Sequence, residues 1–283
     1  MKISYWPEYI ALNASKPYSA ALESLSNFGH TLVKESYDAD AAIIWSVLWH
    51  GRMSQNKFVW DHYRKQNKPV IVIEVGGIKR GTTWKVGLNG INRNAYFGPS
   101  GMDAIRSRGL GLELKPWRQD GEFILICGQH DKSLQWQGMP AMSKWVMNVI
   151  DQLQIHYKYP IMFRPHPRCK LPDIERQYKN VYRQDPKPIT DTYDDFDMNF
   201  DNIRYTVSWN SNPGIHSIIN GVPAHVGPHS LAFDVGCPHL LMVDNPNLPD
   251  RQQWLNDYAW TEFTVEEIQH GLPWSRLGNT LDS

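Results

Sequence analysis

Short, uninterrupted apolar runs alternate along this chain with longer stretches of helical period. Residues 2–5 read as a strand, 16–27 as a helix, and 41–45 (A-A-I-I-W) as a buried strand. A helix over 56–66 and a second apolar run over 69–74 (P-V-I-V-I-E) follow. Runs without polar alternation mark strands covered on both faces, and intervening helices mark a parallel sheet. The Gly-rich stretch 76–101 reads mostly as loop. A second series begins near Gly121: strand 123–127 (F-I-L-I-C), helix 140–153 with Trp145, Val149 and Leu153 on one face, and strand 161–164. Strand 205–208, helix 213–220 and strand 223–226 complete it, and 251–259 and 265–270 have the pattern of two amphipathic helices.

These series predict an α/β protein of two Rossmann-like lobes facing a cleft, with the C-terminal helices closing the second. The stretch L-K-P-W-R-Q-D-G, with its Pro, charges and Gly, reads as the linker. The expected lobes are residues 1–118 and 119–283. Ligands of such sheets bind outside the carboxyl ends of the strands.

Composition narrows the function classes. With 283 residues, 41% hydrophobic and 20% charged, the chain can bury a core. Lys plus Arg and Asp plus Glu each number 29, which excludes a polybasic binder and an acidic tail. Three separated cysteines without a C-x-x-C pair predict inert buried thiols in a reducing cytosol. No leader or membrane-length apolar run is visible, so the expected location is cytoplasmic, without a membrane partner.

The segment with most chemical content is S-W-N-S-N-P-G-I-H-S-I-I-N-G-V-P-A-H-V-G-P (208–228). A strand ends there, and Ser211, Asn212, Pro213 and Gly214 open a helix. Its amide-rich start suits a phosphate, and Gly214 would admit close ligand approach; the alternative is an ordinary helix cap. R-P-H-P-R (164–168) follows another strand and places Arg164 and His166 for phosphate oxygens. C-G-Q-H-D-K-S-L-Q-W (127–136) offers Gln129 and Lys132, with Trp136 for ring stacking. In the first half Glu74 ends the strongest apolar strand, where a carboxylate could accept a proton from an attacking hydroxyl; the alternative is a turn cap. Asp103 is the second candidate base, or simply a helix opener. His50, Lys79, Arg80 and Trp84 are candidate acceptor contacts. The acidic run 191–201 lacks calcium-loop spacing and no zinc pattern occurs, so no metal ligand is assigned and the run reads as a solvated loop. G-x-S-x-G, P-loop and G-x-G-x-x-G fingerprints are absent as well.

The order of apolar strand, R-P-H-P, then strand and N-S-N-P-G-x-x-x-x-x-x-G-V-P-A-x-V-G-P resembles the donor half of GT-B-fold glycosyltransferases. It is most similar to capsule-polysaccharide transferases and small phage-encoded relatives that glycosylate DNA bases. The resemblance covers about 123–271 and is weaker in the first half. It implies an inverting, metal-independent transferase using a nucleotide-sugar, UDP-sugar favoured, as co-substrate. Ile215 and His216 stand where the family has a donor-binding Glu, and E-V-G (74–76) stands where capsule enzymes carry E-D-G. The absence of membrane-docking features points to a phage enzyme acting in host cytoplasm on 5-hydroxymethylpyrimidine in double-stranded DNA. Residues 79–108, with six basic side chains and one acidic, would supply a basic face. A capsule or envelope glycan transferase and a non-catalytic nucleotide-sugar or nucleic-acid binding module are the alternatives.

Overall fold

The computed structural model of the chain describes residues 1–189 and 195–280, so most of the acidic run's start lies outside the described residues. The chain forms two compact units, 1–110 with 256–280, and 111–189 with 195–255.

The first unit opens with β1 (Lys2–Tyr5), α1 (Ser15–Asn27), β2 (Thr31–Lys34), β3 (Ala41–Trp45), α2 (Asn56–Lys65), β4 (Val70–Val75), β5 (Thr83–Leu88) and α3 (Ile105–Gly109). The second contains β6 (Phe123–Cys127), α4 (Met142–His156), β7 (Ile161–Arg164), β8 (Val181–Arg183), β9 (Ile203–Ser208), α5 (Asn212–Ile219), β10 (Ala224–His225) and the start of α6 (Gln252–Tyr258). The tail adds β11 (Glu262–Thr264), α7 (Val265–Gln269) and α8 (Leu272–Leu277) to the first unit.

Six strands form the first sheet in the order β11-β5-β4-β3-β1-β2. β1 to β4 are parallel, whereas β5 runs antiparallel to β4 and β11 antiparallel to β5. Every residue of β3 is buried, as its unbroken apolar run predicts. Ile43, Trp45, Ile71 and Ile73 pack with Tyr18 and Leu25 of α1 and with Phe263, Ile268 and Trp274 of the tail. Each such large apolar side chain stabilises by about 1.5–3 kcal/mol relative to exposure. The Tyr18 hydroxyl donates to Ile43 O at 2.9 Å and accepts Trp6 N at 3.0 Å, tying α1 to the β1 exit.

The second sheet, β10-β9-β6-β7-β8, is wholly parallel. Trp145, Val149 and Leu153 of α4 are buried on one face, as their spacing predicts. They pack with Ile124, Ile126, Phe163, Tyr205 and Val207.

Three sequence expectations need correction. Residues 76–101 contain β5, whose six residues are all buried. The tail does not close the second unit: β11 completes the first sheet, and α7 and α8 bury Ile268, Trp274 and Leu277 in its core. The expected linker is packed structure. Lys115 N donates to Ile219 O (3.0 Å), Arg118 N to Gly221 O (2.8 Å) and the Trp117 indole to Pro249 O (3.0 Å). Among the described residues no helix is long and apolar enough to cross a membrane.

Candidate functional site

In the first unit, strand register assembles a polar row that the sequence does not announce. Glu74 of β4 is the register partner of Lys85 on β5, which is in turn the partner of Glu262 on β11. Ser46 follows β3 one residue beyond the Trp45–Ile73 pair and donates its hydroxyl to Glu74 Oε2. Glu74 Oε1 accepts its neighbour Val75 N at 2.9 Å. Burial pushes the Glu74 carboxyl above its ordinary range; the Ser46 and Val75 hydrogen bonds and the charges of Arg80 and Lys85 oppose that rise. Burial pushes Lys85 down, against the pull of Glu262 and Glu74.

Glu262 is fully buried and compensated. Its carboxylate accepts Gly77 N (2.7 Å), Ile78 N (2.9 Å) and the Thr83 hydroxyl (2.8 Å), with Lys85 Nζ 3.9 Å away. The loop that leaves β4 beside Glu74 is thereby pinned. A Cβ on Gly76 would lie 2.2 Å from Thr83 O, so the close approach requires glycine.

The other first-unit candidates are dispersed. His50 and Lys79 are exposed, and Arg80 donates to Gly76 O at 3.3 Å. Trp84 is a correction: as a β5 residue on the apolar face it is buried against Trp45, with ring centroids 5.7 Å apart, and cannot line an open acceptor surface. Asp103 is exposed and its carboxylate accepts Ile105 N at 2.9 Å, a turn that precedes α3. The expected basic face is reduced. Lys85 is internal, and Arg106 pairs with Glu267 at 2.6 Å while stacking on Trp260 and Phe263.

In the second unit the chain leaves β6 toward β7 and β8, then returns to β9 on the other side of β6. The carboxyl ends of β6 and β9 therefore flank the topological switch point, where open α/β sheets bind ligands. Gln129 lies there, buried, with Oε1 accepting Asn210 N (3.1 Å) and Nε2 donating to Ser133 Oγ (3.3 Å). His130, which sequence reasoning passed over, meets His166 of the next loop edge to face, centroids 5.6 Å apart. Each imidazole accepts through Nδ1 the amide two residues on, Lys132 N at 3.2 Å and Arg168 N at 3.1 Å. A neutral ring so held carries its proton on Nε2.

Ser211 and Asn212 open α5 as expected, and the Ser211 and Ser208 hydroxyls lie 2.9 Å apart. Packing alone requires glycine at 214: an added Cβ would stand 2.9 Å from Val226 Cγ1 and 3.1 Å from Ser208 Cβ. Arg164 is buried, and its guanidinium donates to the main-chain oxygen of Asp197 and to its carboxylate at 3.3 Å. Its charge is met by a protein carboxylate, where the sequence pointed to phosphate. Lys132 is exposed beside Asp131 (3.6 Å). Trp136 is buried between Trp145 and Trp209, not offered for stacking.

No protein-family model matches the chain, and no curated protein matches it in sequence. Solved structures do. KpsC of Thermosulfurimonas dismutans, a beta Kdo 2,7 transferase, superposes with a TM-score of 0.52 at 12% identity, covering 96% of this chain and 99% of that one. A beta Kdo 2,4 transferase of KpsC from the same organism gives a TM-score of 0.49 at 12% identity, covering 96% and 98%. The first likeness shows a shared fold, here two α/β units with parallel-rich sheets.

Proposed function

We propose that the chain is a glycosyltransferase that moves a sugar from a nucleotide-activated donor to a hydroxyl of a glycan acceptor, with inversion and without a metal. The observation that carries the reading is Glu74: a carboxylate at the carboxyl end of a parallel strand, made more basic by burial and held by two hydrogen bonds. A carboxylate made more basic in this way is a better proton acceptor, as general-base work requires. Glu74 takes the acceptor proton as the new C–O bond forms and the anomeric carbon leaves its phosphate. The second unit, taken by itself, offers at Ser211 and Asn212 the amide-rich start of α5, which suits the phosphates of a nucleotide-sugar. The fold shared with a Kdo transferase favours a glycan acceptor. The interior positions of Lys85 and Arg106 weaken the argument for hydroxymethylated DNA.

The test incubates the full chain with UDP-sugars and nucleotide-activated Kdo, offering oligosaccharides, hydroxymethylated DNA or plain DNA as acceptor. Transfer to an oligosaccharide that is lost in Glu74→Gln while donor binding persists supports the reading. Transfer to hydroxymethylated DNA alone moves the acceptor assignment. Tight donor binding without turnover identifies a binding module instead, and absence of both binding and turnover overturns the proposal.

A further inference from the structure

Ser46 combines three features that a serine following a strand need not have. Its backbone is left-handed, φ 66°, in a conformation that favours glycine. Its amide donates to Ile73 O at 2.7 Å, which extends the β3–β4 ladder by one step and brings Ser46 level with Glu74. Its side chain, buried with the residue only 1% exposed, donates to Glu74 Oε2 and accepts Leu48 N at 2.9 Å. A hydroxyl has one proton and two lone pairs. With the Leu48 amide on a lone pair, the proton is directed at the carboxylate. Glycine would satisfy the backbone at lower cost, so the feature that distinguishes serine here is the hydroxyl.

We propose that Ser46 is a positioning residue for Glu74: the left-handed turn aims its hydroxyl, steadied by the Leu48 amide, to fix one carboxylate oxygen and favour the ionised form. The proposal rests on reading Glu74 as the general base. The hydrogen bond opposes burial, keeping the carboxylate ionised to lower pH than its surroundings alone would allow. The other charged groups facing Glu74 are Arg80 of the following loop and Lys85 of β5; Glu262 of β11 neutralises Lys85 from its far side. Neither Ser46→Gly nor Ser46→Ala alters those groups. The glycine variant also relieves the left-handed backbone, whereas the alanine variant retains it.

The experiment compares Ser46→Gly and Ser46→Ala with the wild-type full chain, following the Glu74 carboxyl by carbon-13 glutamate NMR assigned with Glu74→Gln. The midpoint is expected to rise by about one pH unit in both variants. Under glycosyl transfer, kcat falls about tenfold on the acid side of the profile and converges with wild type at high pH, with donor KM unchanged. A folded Ser46→Gly whose Glu74 midpoint and acid limb match wild type overturns the positioning role. A shifted midpoint in a chain that turns over no nucleotide-sugar sustains the positioning of Glu74 and removes the glycosyl-transfer reading.

Discussion

Lys85 and Glu262 are register partners across β5 and β11, with Nζ 3.9 Å from Oε1 and both side chains buried. The pair joins the last strand of the chain to the loop beside Glu74, because the same carboxylate holds Gly77 N and Ile78 N. Removing one charge of a buried pair leaves the other uncompensated. Lys85→Met is therefore expected to lower unfolding stability by about 3 kcal/mol. Glu262→Gln removes the opposite charge but sets an amide donor against Gly77 N or Ile78 N, so it costs stability alone, and the double variant should lose less than the sum of the two singles. Urea unfolding of the two single variants and the double variant measures the coupling; strictly additive losses would show that the pair does not act as a unit.

Glu74 should cost the protein stability for the sake of its basicity. Its folded-state pKa is raised above the ordinary carboxyl value, mainly by burial, so the folded chain holds this proton more tightly than the unfolded one. Its contribution to stability falls as pH climbs from the ordinary carboxyl range through the raised value, then levels. Glu74→Gln is expected to be more stable than wild type at pH 7, with the difference vanishing in acid. Urea midpoints at pH 4 and pH 7 check the sign; a variant less stable at both values would contradict it.

The strands most legible in the sequence are those buried on both faces. A-A-I-I-W, V-I-V-I and F-I-L-I-C carry no polar interruption, and all lie in parallel ladders. β5 escaped because T-W-K-V-G-L contains a lysine and a glycine, which mark loops unless a distant partner accounts for them. That partner, Glu262, lies in a three-residue strand whose place is fixed only by long-range pairing. Glu74 was visible as a carboxylate ending an apolar run, but the Ser46 contact depends on strand register. Arg164 is legible as a strand-end cation, but its partner Asp197 is not, because it lies 33 positions away within an acidic run that reads as solvated loop. Short-range pattern reports burial, and charge compensation across strands is invisible to it.

The three cysteines should be chemically silent in the folded chain. Cys127, Cys169 and Cys237 are free and buried. Burial pushes the Cys127 thiol up to about 12 and raises the other two, and the reactive species is the thiolate. Ellman's reagent at pH 8 is expected to show no fast thiol in native protein and three after denaturation. One fast native thiol would mean that its covering segment opens readily.

Arg251 fastens the segment that composition marks as a linker. Its guanidinium donates to Ile218 O at the end of α5 and to Lys115 O, and lies 3.6 Å over the Trp117 ring. Burial lowers its pKa to about 10, so it remains charged at neutral pH. Arg251→Met takes the side-chain donor from Lys115 O, leaves Ile218 O with the Gly221 amide alone, and removes the cation over the indole, a loss of about 2 kcal/mol. Arg251→Lys keeps the charge without the planar fork and should recover only part of it. Limited trypsinolysis gives a local readout. Lys115 precedes Pro116 and is a poor cleavage site, so nicking within 111–121 reports on Arg118, which is held through its amide to Gly221 O. Wild type should resist cleavage at Arg118 and Arg251→Met should be cut there early. Rapid nicking of the wild-type chain at that bond would return 115–121 to the role of a flexible connector.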